Sequence, residues 1–161
     1  MPLEGCFLPC VDLRWSSEVN NFPPGQCLEA QGCGNRPCVL VVEDHEDSLM
    51  LLTCVLQSLG CFLVQAGCAI QALQLAEAYA FDLALIDIVL PDINGLELLR
   101  LLKLKQPTQE VVAIAVTALA SIKYQAQIRG AGFQGYICKP YLLEDLEALI
   151  RYHLRSKLTH C

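Results

Sequence analysis

After residue 37 the chain alternates between short apolar runs and longer stretches of helical periodicity. Cys38-Val-Leu-Val-Val42 is an unbroken apolar run that leads straight into Glu43-Asp44. A run of this length bounded by polar residues reads as a strand buried on both faces. From Asp47 or the polar residues near it, Leu49, Leu52, Leu56 and Leu59 recur at helical spacing, and Gly60 ends the helix. Phe62 to Ala66 is a second strand, and Ala69 to Ala80 a small-residue helix with Leu73 and Ala76 on one face. Asp82-Leu-Ala-Leu-Ile86 is a third strand ending at Asp87.

The same alternation continues to the end. Gly95 to about Lys105 reads as a helix with Leu98, Leu99 and Leu102 apolar, and Pro107 marks its exit. Val111 to Val116 is a fourth strand ending at Thr117. A helix from about Ala120 to Arg129 is closed by Gly130 and Gly132. Tyr136-Ile-Cys138 is a short fifth strand ending at Lys139. The last helix runs from about Leu142 to Ser156, with Leu146, Leu149 and Ile150 facing inward. A strand–helix unit repeated in this way, with short loops, predicts an α/β fold: a parallel sheet covered by helices on both faces, three layers in all. Ligands of such sheets bind at the carboxyl ends of the strands. Glu43, Asp44, Asp87, Thr117 and Lys139 all stand at those ends.

Residues 1–36 break the pattern. They hold Pro9, Pro23, Pro24, Gly25, Gly32 and Gly34 without lasting periodicity, and read as a flexible or loosely packed leader. Val11, Leu13 and Trp15 alternate briefly, which suits docking on the domain or a short binding element equally. The expected organisation is leader 1–36, one domain over 37–157 and a short tail at 158–161. The length of 161 residues and a hydrophobic fraction of 54% fit one domain with a sizeable core. A net charge of −6 without a basic block disfavours direct nucleic-acid binding. No uncharged apolar stretch approaches the length of a membrane span, and the first residues lack the basic start of a signal peptide, so the expected compartment is the cytoplasm. Ten cysteines would suggest disulfides in a small secreted chain. Here Cys54, Cys61, Cys68 and Cys138 fall in or beside core-like segments and read as buried free thiols. Cys6, Cys10, Cys27 and Cys33 lie in the leader without a CxxC pair, so a zinc or redox role has little support there. Cys161, the last residue, is open to adventitious intermolecular disulfides.

The chemistry follows from the strand ends. Glu43, Asp44 and Asp87 brought together would repel one another and lose solvation, and a hard divalent cation relieves both costs. Mg²⁺ suits a few carboxylates with waters and a backbone carbonyl, expected from Val89; Mn²⁺ is the second ion considered. The plain alternative is a set of helix caps and solvated turn acids. Asp87 is the best nucleophile, since a carboxylate attacking phosphorus gives an acyl phosphate. Asp82, at the opposite edge, and Asp92, in the following loop, are weaker candidates. Lys139 offers a point charge to a carboxylate or phosphoryl oxygen, and a cis bond to Pro140 would aim it inward; otherwise it is a surface lysine before a turn. The Thr117 hydroxyl suits a phosphoryl oxygen or a local backbone bond, and the small Ala118 leaves room beside it. Tyr136 is either core filling or a rotamer reporter. Gly95 is expected to allow a positive φ or a tight turn before its helix. No glycine-rich phosphate loop follows a strand, which argues against nucleotide binding.

With these residues in place, the chain resembles a receiver domain of the two-component response-regulator family. The matching pieces are Val42-Glu43-Asp44, Asp87-Ile-Val-Leu-Pro91 with Asn94-Gly95, Val116-Thr117-Ala118, and Gly132 to Tyr136 with Lys139-Pro140; they span roughly residues 38 to 155. The resemblance implies a flavodoxin-like fold with strand order 2-1-3-4-5, and Asp87 as acceptor of a phosphoryl group from a histidine kinase or phosphotransfer protein. It implies Mg²⁺ on Asp44 and Asp87 directly and on Glu43 through water, with Thr117 and Lys139 on the phosphoryl group. Thr117 and Tyr136 would couple phosphorylation to the surface of helix four, strand five and helix five, where receivers pair or bind a downstream protein target. Such a protein assists its own phosphorylation and dephosphorylation without turning over an external substrate. Two features depart from the family pattern: Leu142 stands where a capping residue is expected, so the last helix should begin late or frayed, and the leader has no counterpart. With few residues after the last helix, the expectation is signalling by contact or onward relay. The competing readings are a receiver-like interaction module that works without phosphorylation and, far behind, a flavin-binding electron carrier, for which the first strand–helix turn offers acids where a phosphate loop should be.

Overall fold

The computed structural model describes residues 35–105, 108–119 and 121–158. Residues 1–34 of the leader, with Trp15 and four cysteines, and Pro107, Ala120 and Cys161 lie outside the described residues. Ten elements alternate: β1 (Cys38–Val42), α1 (Glu46–Ser58), β2 (Phe62–Ala66), α2 (Ala69–Ala78), β3 (Leu83–Asp87), α3 (Gly95–Lys103), β4 (Val112–Thr117), α4 (Ile122–Gly130), β5 (Gly135–Cys138) and α5 (Leu143–Leu158). The strands form one parallel sheet in the order β2-β1-β3-β4-β5, as the resemblance implied.

The period of two along each strand divides the core into two. Leu40, Val42, Ala84, Ile86, Ala113 and Ala115 face Ala69, Ala72 and Ala76 of α2, Leu98, Leu99 and Leu102 of α3, and Ile128 of α4. Val39, Val41, Leu83, Leu85, Ile114 and Val116 face Leu49, Leu52 and Leu56 of α1 and Leu146, Ile150 and Leu154 of α5. Every residue of β1 and β3 is buried, which explains why these strands read as continuous apolar runs and not as alternating ones. Fully burying one such Leu or Ile contributes about 1.5–3 kcal/mol.

Helix ends differ from the sequence expectation by one to a few residues, mostly where neighbouring packing or a tightened last turn sets them. α1 starts at Glu46, one residue early, with His45 at its N-cap and no side-chain cap. α2 stops at Ala78 and not Ala80, because Tyr79 turns extended and stacks on Phe81 at 6.0 Å. α3 stops at Lys103, where the backbone N–H groups of Leu104 and Lys105 bond to Leu101 and Leu102 in a tightening last turn. Ser121 caps α4, and α5 starts at Leu143, its first-turn amides bonding to the Leu142 carbonyl. The helix thus starts directly after Leu142, without the delay or fraying expected there, and extends to Leu158, past the expected Ser156. Leu149 is only half-buried.

Two glycines behave differently from their expectation. Gly95 does not have a positive φ; it is needed because a Cβ there would lie 2.3 Å from the Asp87 carbonyl oxygen. Gly130 is the last residue of α4, and Gly132 takes the left-handed conformation at φ 95°. Among the cysteines, Cys38, Cys61 and Cys68 are buried and Cys138 is half-buried, but Cys54 is exposed, because position 54 falls on the solvent side of α1, off the stripe of Leu49, Leu52 and Leu56.

Candidate functional site

The parallel register sets the site. Val42 pairs with Ile86, Ile86 with Ala115 and Ala115 with Tyr136. The next residues, Glu43 after β1 and Asp87 at the end of β3, therefore emerge side by side at the carboxyl edge. Thr117 closes β4 and Lys139 follows β5 at the same edge. Asp82 lies at the opposite edge, where its carboxylate accepts from the Cys38 amide at 2.8 Å and pairs with Lys157. It anchors the start of the sheet and takes no part in the acid cluster.

Lys139 Nζ donates to Glu43 Oε2 at 2.5 Å and to Asp87 Oδ2 at 2.9 Å. The other oxygens are held by backbone: Glu43 Oε1 accepts from His45 N at 3.1 Å and Asp87 Oδ1 from Val89 N at 2.9 Å. Glu43 and Asp87 are buried while Asp44 is exposed. Carboxylate oxygens of Glu43, Asp44 and Asp87 lie within 4.8 Å of one another, among the described residues the one acidic or thiol cluster with metal-ligand spacing. The Lys139-Pro140 bond is cis.

One ammonium shared by two carboxylates sets the electrostatics. Burial raises the pKa of Glu43, and the charge of Asp87 acts in the same sense; the bonds from Lys139 and the His45 amide only partly oppose them. For Lys139, burial acts downward, but the bonds and charges of Glu43 and Asp87 outweigh it, so its pKa lies above the ordinary lysine value. The two directions are compatible, since the lysine sees two negative neighbours and each carboxylate sees one positive and one negative. Burial also raises the pKa of Tyr141, which lies near enough to feel all three charges.

The remaining residues line this edge. Thr117 is fully buried, and its Oγ1 accepts from Leu119 N at 3.0 Å, the local backbone bond; accepting leaves its own proton for another partner. Its carbonyl accepts from Lys139 N at 2.8 Å, which ties the last two strand ends together. Ala118, Pro91 and Pro140 are exposed around the opening. Tyr136 is half-buried against the core on the side of α4. The double engagement of Lys139 and the role of Asp92, which caps α2, were not foreseen; an uncapped Cys68 at the start of a helix was the available signal for the second.

Residues 39–151 match the model of the response regulator receiver domain. The polar-differentiation response regulator DivK of Brucella ovis is 35% identical over 116 residues, which cover 72% of this chain and 94% of that protein. A CheY-like receiver domain protein of Methanospirillum hungatei superposes with a TM-score of 0.68 at 31% identity, covering 78% of this chain and 99% of that one. The receiver domain of the sensor histidine kinase PA1611 of Pseudomonas aeruginosa gives a TM-score of 0.68 at 27% identity, covers 74% of this chain and 98% of that one, and carries a magnesium ion coordinated in its active site cleft. Among the described residues no helix is long and apolar enough to cross a membrane. Matched over most of its length to the family model and to nearly whole relatives, the chain belongs to the response regulator receiver domains.

Proposed function

We propose that this chain is a phosphoryl-accepting response regulator of a two-component phosphorelay, switched by phosphorylation of Asp87 in the presence of Mg²⁺ and signalling through protein–protein contact. The observation that carries the reading is Lys139 bridging Glu43 and Asp87 beside Asp44. The donor set fits a hard divalent ion: carboxylate oxygens, one of them exposed, with the Val89 carbonyl close by in sequence. Asp44, Asp87 and the Val89 carbonyl would hold it directly. Glu43, whose oxygens are bonded to Lys139 and His45, would act through water. Bound there, Mg²⁺ or Mn²⁺ supplies charge neutralisation on the attacking and transferred oxygens.

The Asp87 carboxylate supplies the electron pair that forms the new O–P bond. The P–N bond of a phosphohistidine on a histidine kinase or phosphotransfer protein breaks, and its electron pair stays on the imidazole nitrogen. Lys139, already bonded to Asp87, donates to the phosphoryl oxygens, and the Thr117 hydroxyl donates its proton to another. Thr117 and Tyr136 couple this event to the face of α4, β5 and α5, where Ile122, Leu143 and Tyr152 are exposed. That face would bind a downstream protein or a second copy of the chain, with phosphorylation shifting the population between two conformations. The working unit is the domain expected at residues 37–157, in the cytoplasm, with its last helix carried on to Leu158, and with 1–36 as leader and the few residues that follow the helix as tail.

The test is intact-mass measurement after incubation with acetyl phosphate. The expected result is a gain of about 80 Da with Mg²⁺, none with excess EDTA and none in Asp87→Asn. A folded wild-type chain that gains nothing would instead be an interaction module that works without phosphorylation.

A further inference from the structure

The loop of residues 88–94 between β3 and α3 carries Val89 and leaves directly from Asp87. Its two ends are tied locally. Val89 N bonds to Asp87 Oδ1 at 2.9 Å, Gly95 N to Ile88 O at 2.9 Å, and Leu96 N to Asn94 Oδ1 at 2.7 Å. Its middle reaches a different helix. Asp92 Oδ1 accepts from Ala69 N at 3.0 Å and Oδ2 from Ile70 N at 2.8 Å. These are first-turn amides of α2, which its own N-cap residue, Cys68, does not cap with its side chain. First-turn amides have no partner inside their helix, and here a carboxylate 22 and 23 residues away meets two of them.

A hydrogen bond constrains both of its partners. A Ser, Thr, Asp or Asn at position 68 would cap α2 without reference to the loop. With the cap placed on Asp92, the start of α2 and the loop are held by the same pair of bonds. Burial is the largest single influence on Asp92 and acts to raise its pKa, but the amides of Ile70, Ala69, Ile93 and Asp92 itself together outweigh it and hold the carboxyl below the ordinary aspartate value. The clamp is therefore charged at neutral pH, and the positive end of α2 favours that charge.

We propose that Asp92 is a positioning residue, pinning the β3–α3 loop to the start of α2 so that the Val89 carbonyl and Asp87 carboxylate form a preset oxygen cradle for the divalent cation. The proposal rests on the receiver chemistry proposed above. Groups that orient ligands from outside the coordination sphere commonly set metal affinity, and a cradle fixed before binding avoids the cost of ordering it.

The test compares wild type, Asp92→Ala, Asp92→Asn and Gln71→Ala in the full chain. Gln71 Oε1 caps the Gly67 amide at 2.8 Å, at the same end of α2 but without touching the loop. Calorimetric titration with MgCl₂ gives the affinity, amide exchange at Val89 and Gly95 in metal-free protein gives loop order, and acetyl phosphate gives labelling. Asp92→Ala is expected to weaken Mg²⁺ binding by roughly tenfold and to speed exchange in the loop, with labelling restored at saturating Mg²⁺. Asp92→Asn, which keeps one acceptor oxygen, falls between and serves if the alanine variant does not fold. Gln71→Ala lowers the Tm but leaves the Mg²⁺ Kd within about twofold of wild type. Two results overturn the proposal: both Asp92 variants binding Mg²⁺ like wild type, or Gln71→Ala weakening it as much as Asp92→Ala, which would make α2 integrity the cause. A wild-type chain that takes neither Mg²⁺ nor label overturns the receiver chemistry and this proposal with it; normal wild type with unchanged Asp92 variants overturns the proposal alone.

Discussion

Lys139 is the residue on which the charge balance of the site depends, because it serves two buried carboxylates at once. Removing either side of that arrangement has opposite consequences. Lys139→Met leaves Glu43 and Asp87 facing each other without a counter-ion and is expected to destabilise the metal-free protein by about 3 kcal/mol in urea unfolding. Glu43→Gln removes one of the competing negative charges and is expected to stabilise it, raising the Tm by about 2–4 °C for each kcal/mol recovered. The pH dependence has a defined sign. The folded pKa of Glu43 lies above its ordinary 4.5, so its contribution is full below pH 4.5 and is lost as pH rises through the folded value. Metal-free wild type should lose stability over that window relative to Glu43→Gln, and thermal melts across it measure the difference. At this scale the sequence was informative about identity and less so about partners. That Glu43, Asp87 and Lys139 meet followed from their places at strand ends. That Lys139 bonds Glu43 as closely as Asp87 did not, because side-chain reach across two strands depends on register, which no local pattern encodes.

Among the elements, the β3–α3 junction is the tightest. Gly95 opens α3 with its amide on the Ile88 carbonyl and no room for a side chain against the Asp87 carbonyl. Backbone cannot yield as a flexible side chain can, so Gly95→Ala should cost about 3 kcal/mol or more. Because the displaced group is the backbone of Asp87, the proposed phosphoacceptor, slower labelling by acetyl phosphate should accompany the lower urea midpoint. The presence and type of each element were legible in the sequence, since buried parallel strands and amphipathic helices have distinct periods. Their ends were legible to within a few residues. α2 and α3 start at Ala69 and Gly95 as their patterns indicate, while α4 starts at Ile122, after its cap Ser121, and not at Ala120. What the sequence did not name is the cap of α2, because Asp92 comes to it from a distant loop. The early end of α2 at Ala78 reflects the packing of Tyr79 on Phe62 and Phe81, a tertiary preference that overrides the helical propensity of Ala80.

For the whole molecule, the two edges of the sheet carry different chemistry. The carboxyl edge gathers acids around Lys139. The opposite edge holds a cleft of about 280 Å³ lined by residues that include Phe81, Asp82, Val112, His153 and Lys157. Burial lowers the pKa of His153 below its usual 6.5, and the charge of Arg155 adds to this. A base with a depressed folded pKa contributes stability that is full above pH 6.5 and is lost as pH falls through its folded value. His153→Gln should therefore flatten the stability profile below pH 6.5 without altering Asp87 labelling, since the two sites lie at opposite edges. Between the edges, Leu85 at the centre of β3 is fully buried, and Leu85→Ala should lower unfolding stability by about 2–5 kcal/mol.

Asp87 is itself a rung of the sheet, paired with Val116, whereas Asp44 and Val89 lie just past the ends of their strands. On the proposed reading, the group that takes up charge is bound into the backbone ladder, while its neighbours stand on turns. Bulk added at Asp87 would then be met by the turns and by the side chains of Thr117 and Tyr136, with the ladder beneath keeping its pairing. A backbone reporter in the middle of β3 would stay silent, and one on the turns or on the Tyr136 ring would read the event.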